Sequence, residues 1–177
     1  MVRRPADVRD PIGLRQPDAR SCGATSAVVA RMQADPAYAA AIRPRFAVEV
    51  LSVHRRLTRA RLRGRWQLPW PRALGTPPWA LARELGALTG VRHRTRLVRW
   101  RRDPLAGVGP GALYVGDRWL PRHVVLMLDD VRCYDPATGR VVALASGPAR
   151  PLPFGRWRIA WFVVTPRSRR SGPRIRA

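Results

Sequence analysis

The run Gly90-Val91-Arg92-His93-Arg94-Thr95-Arg96-Leu97 is where the pattern of the chain changes. Before it, apolar residues recur at helical spacing. Within it, Arg92, Arg94 and Arg96 alternate with Val91, His93, Thr95 and Leu97, as in a half-exposed strand. Gly90 is the break between the two regimes, since a glycine past the last periodic residue ends a helix.

N-terminal to this break, three helices are expected. The first begins at or just before Cys22, with Ser21 as cap and Ala24, Ala27, Val28 and Met32 at helical spacing, and stops at Asp35-Pro36. The second covers 45–62, where Phe46, Val50, Val53, His54 and Leu57 form one stripe and Arg55, Arg59 and Arg63 another. The third follows Thr76-Pro77, a cap and a first-turn proline, and carries Leu81, Ala82, Leu85 and Leu88. C-terminal to the break, strands are expected at about 112–115, 123–128, 131–135, 141–144 and 158–164, separated by Gly, Asp and Pro. Helices first and antiparallel strands afterwards predict an α+β fold, because βαβ units would alternate.

The 177 residues suit one domain able to bury a core without disulfides or metals. An irregular leader is expected over 1–13, the folded domain over 14–165 and a disordered basic tail over 166–177, with both ends mobile. The net charge of +23 comes from 34 basic residues, all arginine. Such a surface attracts anions, whether nucleic acid, anionic lipid or acidic peptide, although a coding bias toward Arg, Ala, Gly and Pro produces the same composition. Arg99-Trp100-Arg101-Arg102 can be pictured stacking on bases, but no helix-turn-helix or zinc-finger spacing accompanies it. The absence of a signal-like apolar run or a span of ~18 apolar residues makes the cytoplasm the expected location.

Cys22 and Cys133 are far apart and suit neither a disulfide framework nor a zinc site. At a helix start, the dipole and free N–H groups favour a thiolate and can receive an oxyanion, and Gly23 leaves room for a substrate. Cys133, inside an apolar strand, reads as a buried thiol. His54 and His93 have no metal-ligand spacing, so they read as structural or exposed, and no metal is expected. Asp129-Asp130 reads as a hairpin turn.

The run Gln16-Pro17-Asp18-Ala19-Arg20-Ser21-Cys22-Gly23-Ala24 resembles the nucleophile motif of the bacteriocin-processing, double-glycine peptidases, a papain-like family in which a glutamine stands six residues before the cysteine. His123-Val124-Val125-Leu126-Met127 and then Tyr134-Asp135-Pro136 follow in the same order, and 154–164 resembles the family's last strand. The resemblance implies a papain-like α+β domain that cleaves a peptide or protein through a thioester and needs no cofactor. It gives Cys22 as nucleophile, His123 as base, Asp135 as the group that orients the base and Gln16 as an oxyanion donor. Ser21 stands where the family commonly has an acidic residue, which leaves the double-glycine leader open as a substrate.

Alone, His123 reads as a core histidine and Asp135-Pro136-Ala137-Thr138-Gly139 as a turn. The alternatives are transglutaminase-type acyl transfer to an amine, and a non-catalytic papain-like module binding nucleic acid or other anions through the arginine stripes. Strand parity gives one geometric expectation: a three-residue connection over 128–130 pairs Met127 with Val131 and sets Asp135 directly across from His123.

Overall fold

Residues Cys22 to Val29 and Met32 are all buried, so the helix they form has no solvent face of any width and must lie at the centre of its layer. This helix is α1, Cys22–Ala34, in a computed structural model that describes residues 7–101, 103–105, 109–144 and 152–167. The other helices are α2 (Pro36–Ile42), α3 (Phe46–Leu57) and α4 (Pro78–Thr89). The strands are β1 (Arg61–Leu62), β2 (Arg65–Trp66), β3 (His93–Leu97), β4 (Gly111–Gly116), β5 (Pro121–Met127), β6 (Arg132–Asp135), β7 (Arg140–Ala143) and β8 (Ile159–Pro166).

The chain is α+β. Strands β3 to β8 form one antiparallel sheet in the order β3-β8-β4-β5-β6-β7, and β1 and β2 make a separate hairpin. One core lies between α1, α3, α4 and one sheet face, with Val124, Leu126 and Tyr134 pointing into it. A second core covers the opposite face, where Val125, Met127, Cys133 and Val163 meet Leu152 and Phe154. Alternation along β5 therefore feeds two cores, so that the strand is buried on both faces from His123 onward. Among the described residues no helix is long and apolar enough to cross a membrane.

Several expectations from the sequence need correction. Asp35-Pro36 ends α1 but also starts α2, because the Asp35 carboxylate accepts from the Tyr38 N–H at 2.9 Å and caps the next helix. Ser21 occupies the cap position of α1 without capping it; its hydroxyl donates back to the Asp18 carbonyl at 3.4 Å. Thr76 likewise does not cap α4, which begins one residue later than expected, after Pro77.

The second helix ends at Leu57 rather than at residue 62. Thr58 turns its hydroxyl onto the His54 carbonyl, and the Gln67 amide donates to the Leu57 and Arg59 carbonyls at 2.9 and 2.7 Å, closing the helix end from outside. Arg63 and Gly64, with φ of 52° and 74°, then form the two-residue turn of the β1–β2 hairpin. Arg59 and Arg63 are consequently not on a helical stripe with Arg55. Arg63 and Arg56 instead pair with the buried Glu84 of α4.

The alternation of β3 is also weaker than expected: Arg96 is half-buried while Leu97 is 46% exposed, because β3 is an edge strand. The leader is tied down where it is described, since Arg43 donates to the Val8 and Asp10 carbonyls and Gln33 to the Arg9 carbonyl. The tail from 168 onward, and Arg102, lie outside the described residues.

Candidate active site

Cys22 is the first residue of α1. The first helical hydrogen bond runs from the Thr25 N–H to the Ser21 carbonyl, so the N–H groups of Cys22, Gly23 and Ala24 have no intrahelical acceptor. The helix start is seated by Thr76: a Cβ on Gly23 would lie 2.7 Å from the Thr76 Cβ. Packing against Thr76 therefore favours glycine at this position. The Thr76 carbonyl accepts from the buried Tyr114 hydroxyl at 3.0 Å, which fixes this loop to β4.

His123 enters from β5 and Asp135 from the end of β6, and they meet with His123 Nε2 2.7 Å from Asp135 Oδ1. Parity is as expected, since both side chains share a sheet face, but the register is not. Met127 pairs with Cys133 and Leu126 with Tyr134. The Leu128 N–H bonds the Arg132 carbonyl at 2.9 Å, leaving 129–131 as the three-residue connection in place of 128–130. The shift has a local cause: the Asp129 carboxylate accepts from the N–H groups of both Val131 and Arg132 and so organises the turn one residue later. Continuing that register, Asp135 falls across from Val125 and reaches His123 on the diagonal, a separation of ~7–8 Å between Cα atoms that the two side chains can span.

Three further groups hold this pair. Asp135 Oδ1 accepts from the Ala137 N–H at 3.0 Å and Oδ2 from the Thr138 hydroxyl at 2.8 Å. Trp157 stacks on the imidazole with centroids 4.8 Å apart. Burial works against a charged His123, but the hydrogen bond to Asp135 and the neighbouring Cys22 outweigh it and raise the imidazole to about 9. Burial likewise opposes ionised Asp135, yet its hydrogen bonds to His123, Thr138 and Ala137 hold it below its ordinary value. These interactions favour the imidazolium, in which both ring nitrogens are donors. Nε2 is taken by Asp135. Cys22 lies close enough to stabilise the cation, although its sulfur makes no hydrogen bond of standard geometry to the ring. Cys22, His123 and Asp135 are 5%, 3% and 6% exposed, so their interactions are little screened by water.

Gln16 is brought to the same region by backbone pairing with the turn after β6. Its N–H donates to the Pro136 carbonyl at 2.9 Å, and Gly13 N–H donates to the Gly139 carbonyl at 2.8 Å. Gly139 has φ of 66°, and a Cβ there would lie 2.8 Å from the Leu14 carbonyl oxygen, so the turn needs glycine for both reasons. The Gln16 side chain donates from Nε2 to the Asp18 carbonyl at 2.7 Å, while its Oε1 is buried without a partner. Nε2 has a second N–H beyond the one used on Asp18.

Compared with known proteins, the chain matches no family model and no curated protein.

The remaining candidates fall outside this cluster. Cys133 is fully buried in β6, and burial, with the Asp135 and Asp129 charges, pushes its thiol up to about 12. His54 is buried with Nδ1 3.5 Å from the Thr76 hydroxyl, and His93 Nδ1 lies 2.8 Å from the Val91 carbonyl. Among the described residues no group of three His, Cys, Asp or Glu side chains is placed to hold a metal. Trp157 and Thr138 carry parts of the site that sequence reasoning missed. For Thr138 a signal existed, because a threonine three residues after an aspartate in a turn can bond it. Trp157 had none, being 34 residues from His123 in a chain with seven tryptophans.

Proposed function

We propose that the chain is a papain-like cysteine peptidase acting on a peptide or protein. The observation that carries this reading is the buried His123–Asp135 pair at 2.7 Å beside a cysteine that begins a helix. In this mechanism Cys22 Sγ, as a thiolate, attacks the scissile carbonyl carbon, and the oxygen gains negative charge. The Cys22 N–H and the second N–H of the Gln16 amide receive that charge. The His123 imidazolium gives its proton to the leaving nitrogen, the C–N bond breaks and a thioester remains. Water then attacks the thioester while His123 takes its proton, releasing the acid and restoring Cys22. Asp135 keeps the ring oriented and compensates its charge through both halves of the cycle.

The direct test is titration with iodoacetamide during hydrolysis of a fluorogenic peptide mixture. Activity should fall in step with carboxamidomethylation of Cys22 mapped by mass spectrometry, while Cys133 remains unmodified. Hydrolysis that persists with Cys22 fully alkylated rules the reading out.

Gln16→Ala should reduce turnover on the order of 10²–10³-fold, as expected for loss of an oxyanion donor. The lost bond to the Asp18 carbonyl should cost only about 1 kcal/mol of stability. Comparison of kcat with the thermal midpoint separates the two effects, and near-normal kcat removes Gln16 from the oxyanion site.

A further inference from the structure

Of the three strongly exposed tryptophans among the described residues, Trp66 lies on the β1–β2 hairpin and the other two share one surface. Trp100 is 76% exposed and Trp119 is 67% exposed, and they sit on two segments stitched together by one arginine. The Arg99 guanidinium lies 4.1 Å from the Trp161 ring centroid and donates to the Arg118 carbonyl. Trp161 Nε1 in turn donates to the Asp117 carbonyl at 3.0 Å. The segment following β3 and the turn preceding β5 therefore form one surface.

Each exposed indole has a cation beside it, Arg99 for Trp100 at 5.5 Å and Arg118 for Trp119 at 4.4 Å. The surface continues onto β3. Arg94 and Arg96 share a strand face there, and burial together with the charges of Arg101 and Arg94 holds Arg96 below its ordinary value. Among the described residues no carboxylate pairs with Arg94, Arg96 or Arg101; the nearby Asp117 is occupied by Arg122. Arg101 and Arg94 both oppose the charge of Arg96, so an anion bound among them relieves that repulsion, and a flat ring can stack on the exposed face of either indole.

We propose that this face binds single-stranded nucleic acid, with Trp100 and Trp119 stacking on bases and Arg94, Arg96 and Arg101 contacting phosphates. Unpaired bases offer the π-faces that a duplex keeps stacked, and base-on-aromatic stacking tolerates any sequence. An acidic peptide would satisfy the arginines but leaves the two indoles without a role. None of the five residues belongs to the Cys22–His123–Asp135 cluster, so the proposal stands or falls independently of the peptidase reading.

The experiment is fluorescence anisotropy of a labelled oligothymidylate titrated with the full chain across a salt series, with polyglutamate and a duplex of equal length as competitors. The oligothymidylate should bind, and the duplex should compete less well than unlabelled single strand. Trp100→Ala and Trp119→Ala should each weaken binding on the order of tenfold at every salt concentration. The triple variant Arg94→Gln, Arg96→Gln, Arg101→Gln should lower the slope of log affinity against log salt by about 2, from ~0.7 per phosphate contact. Trp100→Phe and Trp119→Phe should retain most of the affinity, which separates stacking from misfolding.

Three results overturn the proposal: no binding, binding indifferent to both tryptophans, or a tryptophan-dependent preference for polyglutamate. The second would leave only a nonspecific arginine surface, and the third an acidic-peptide site.

Discussion

Cys22→Ala is expected to abolish peptide hydrolysis, with kcat/KM falling on the order of 10⁴-fold or more, because no other group can form the thioester. The fold should survive. Cys22 is a small, buried residue at a helix start, and alanine fills nearly the same volume while favouring the helix. Cys133→Ala makes the opposite prediction. Its sulfur is packed in the second core, 3.7 Å from the Val142 carbonyl oxygen, so removing it should cost about 1 kcal/mol of stability and leave kcat/KM within a few-fold. The contrast depends on environment: one thiol adjoins an imidazolium, and the other is held protonated by burial and two carboxylates. Paired measurements of kcat/KM and thermal midpoint on both variants decide the matter. Equal losses of activity would mean that Cys22 serves only structure.

The elements that were legible in the sequence are those whose side chains obey one period and one environment. The stripe Phe46, Val50, Val53, His54 and Leu57 is buried as a unit, and β4, β5, β6, β7 and β8 begin and end within about two residues of the positions set by their Gly, Asp and Pro boundaries. What escaped was decided by contacts distant in sequence. The end of α3 depends on Gln67, ten residues beyond Leu57, and the β1–β2 turn depends on Arg63 accepting a positive φ that arginine rarely adopts. The edge position of β3 relaxed its alternation.

At the site, side-chain parity was readable because it follows from the count of residues in a hairpin. Register was not, because Asp129 captures two N–H groups and moves the turn by one residue. The same limit applies to Gln16. Its spacing from Cys22 could be counted, whereas its bond to the Asp18 carbonyl arises from how the 16–21 loop folds back before α1.

Asp135→Asn tests the other half of the cluster, and both its rate and its pH dependence have a definite sign. Asparagine can still accept from the Ala137 N–H and sit beside Nε2, so the shape is kept while the charge is lost. Burial alone depresses the imidazole; the Asp135 hydrogen bond and charge, with Cys22, lift it to about 9. In the parent, hydrolysis should therefore decline as pH rises through about 9, where the imidazolium that protonates the leaving nitrogen is lost. In the variant that limb should move down toward the ordinary imidazole value of ~6.5, with kcat/KM at neutral pH reduced on the order of 10²–10⁴-fold.

Stability should follow the same linkage. The raised imidazole contributes stability that is complete below ~6.5 and lost as pH rises through about 9. The lowered carboxyl contributes stability that is complete above ~3.9 and lost as pH falls through its depressed value. The pair thus stabilises the fold most between ~3.9 and ~6.5, and Asp135→Asn should lower the thermal midpoint within that window and flatten its fall toward about pH 9 and toward acid on either side. A basic limb that stays at about 9 in the variant, with the midpoint profile unchanged, would show that the carboxylate does not set the protonation of His123.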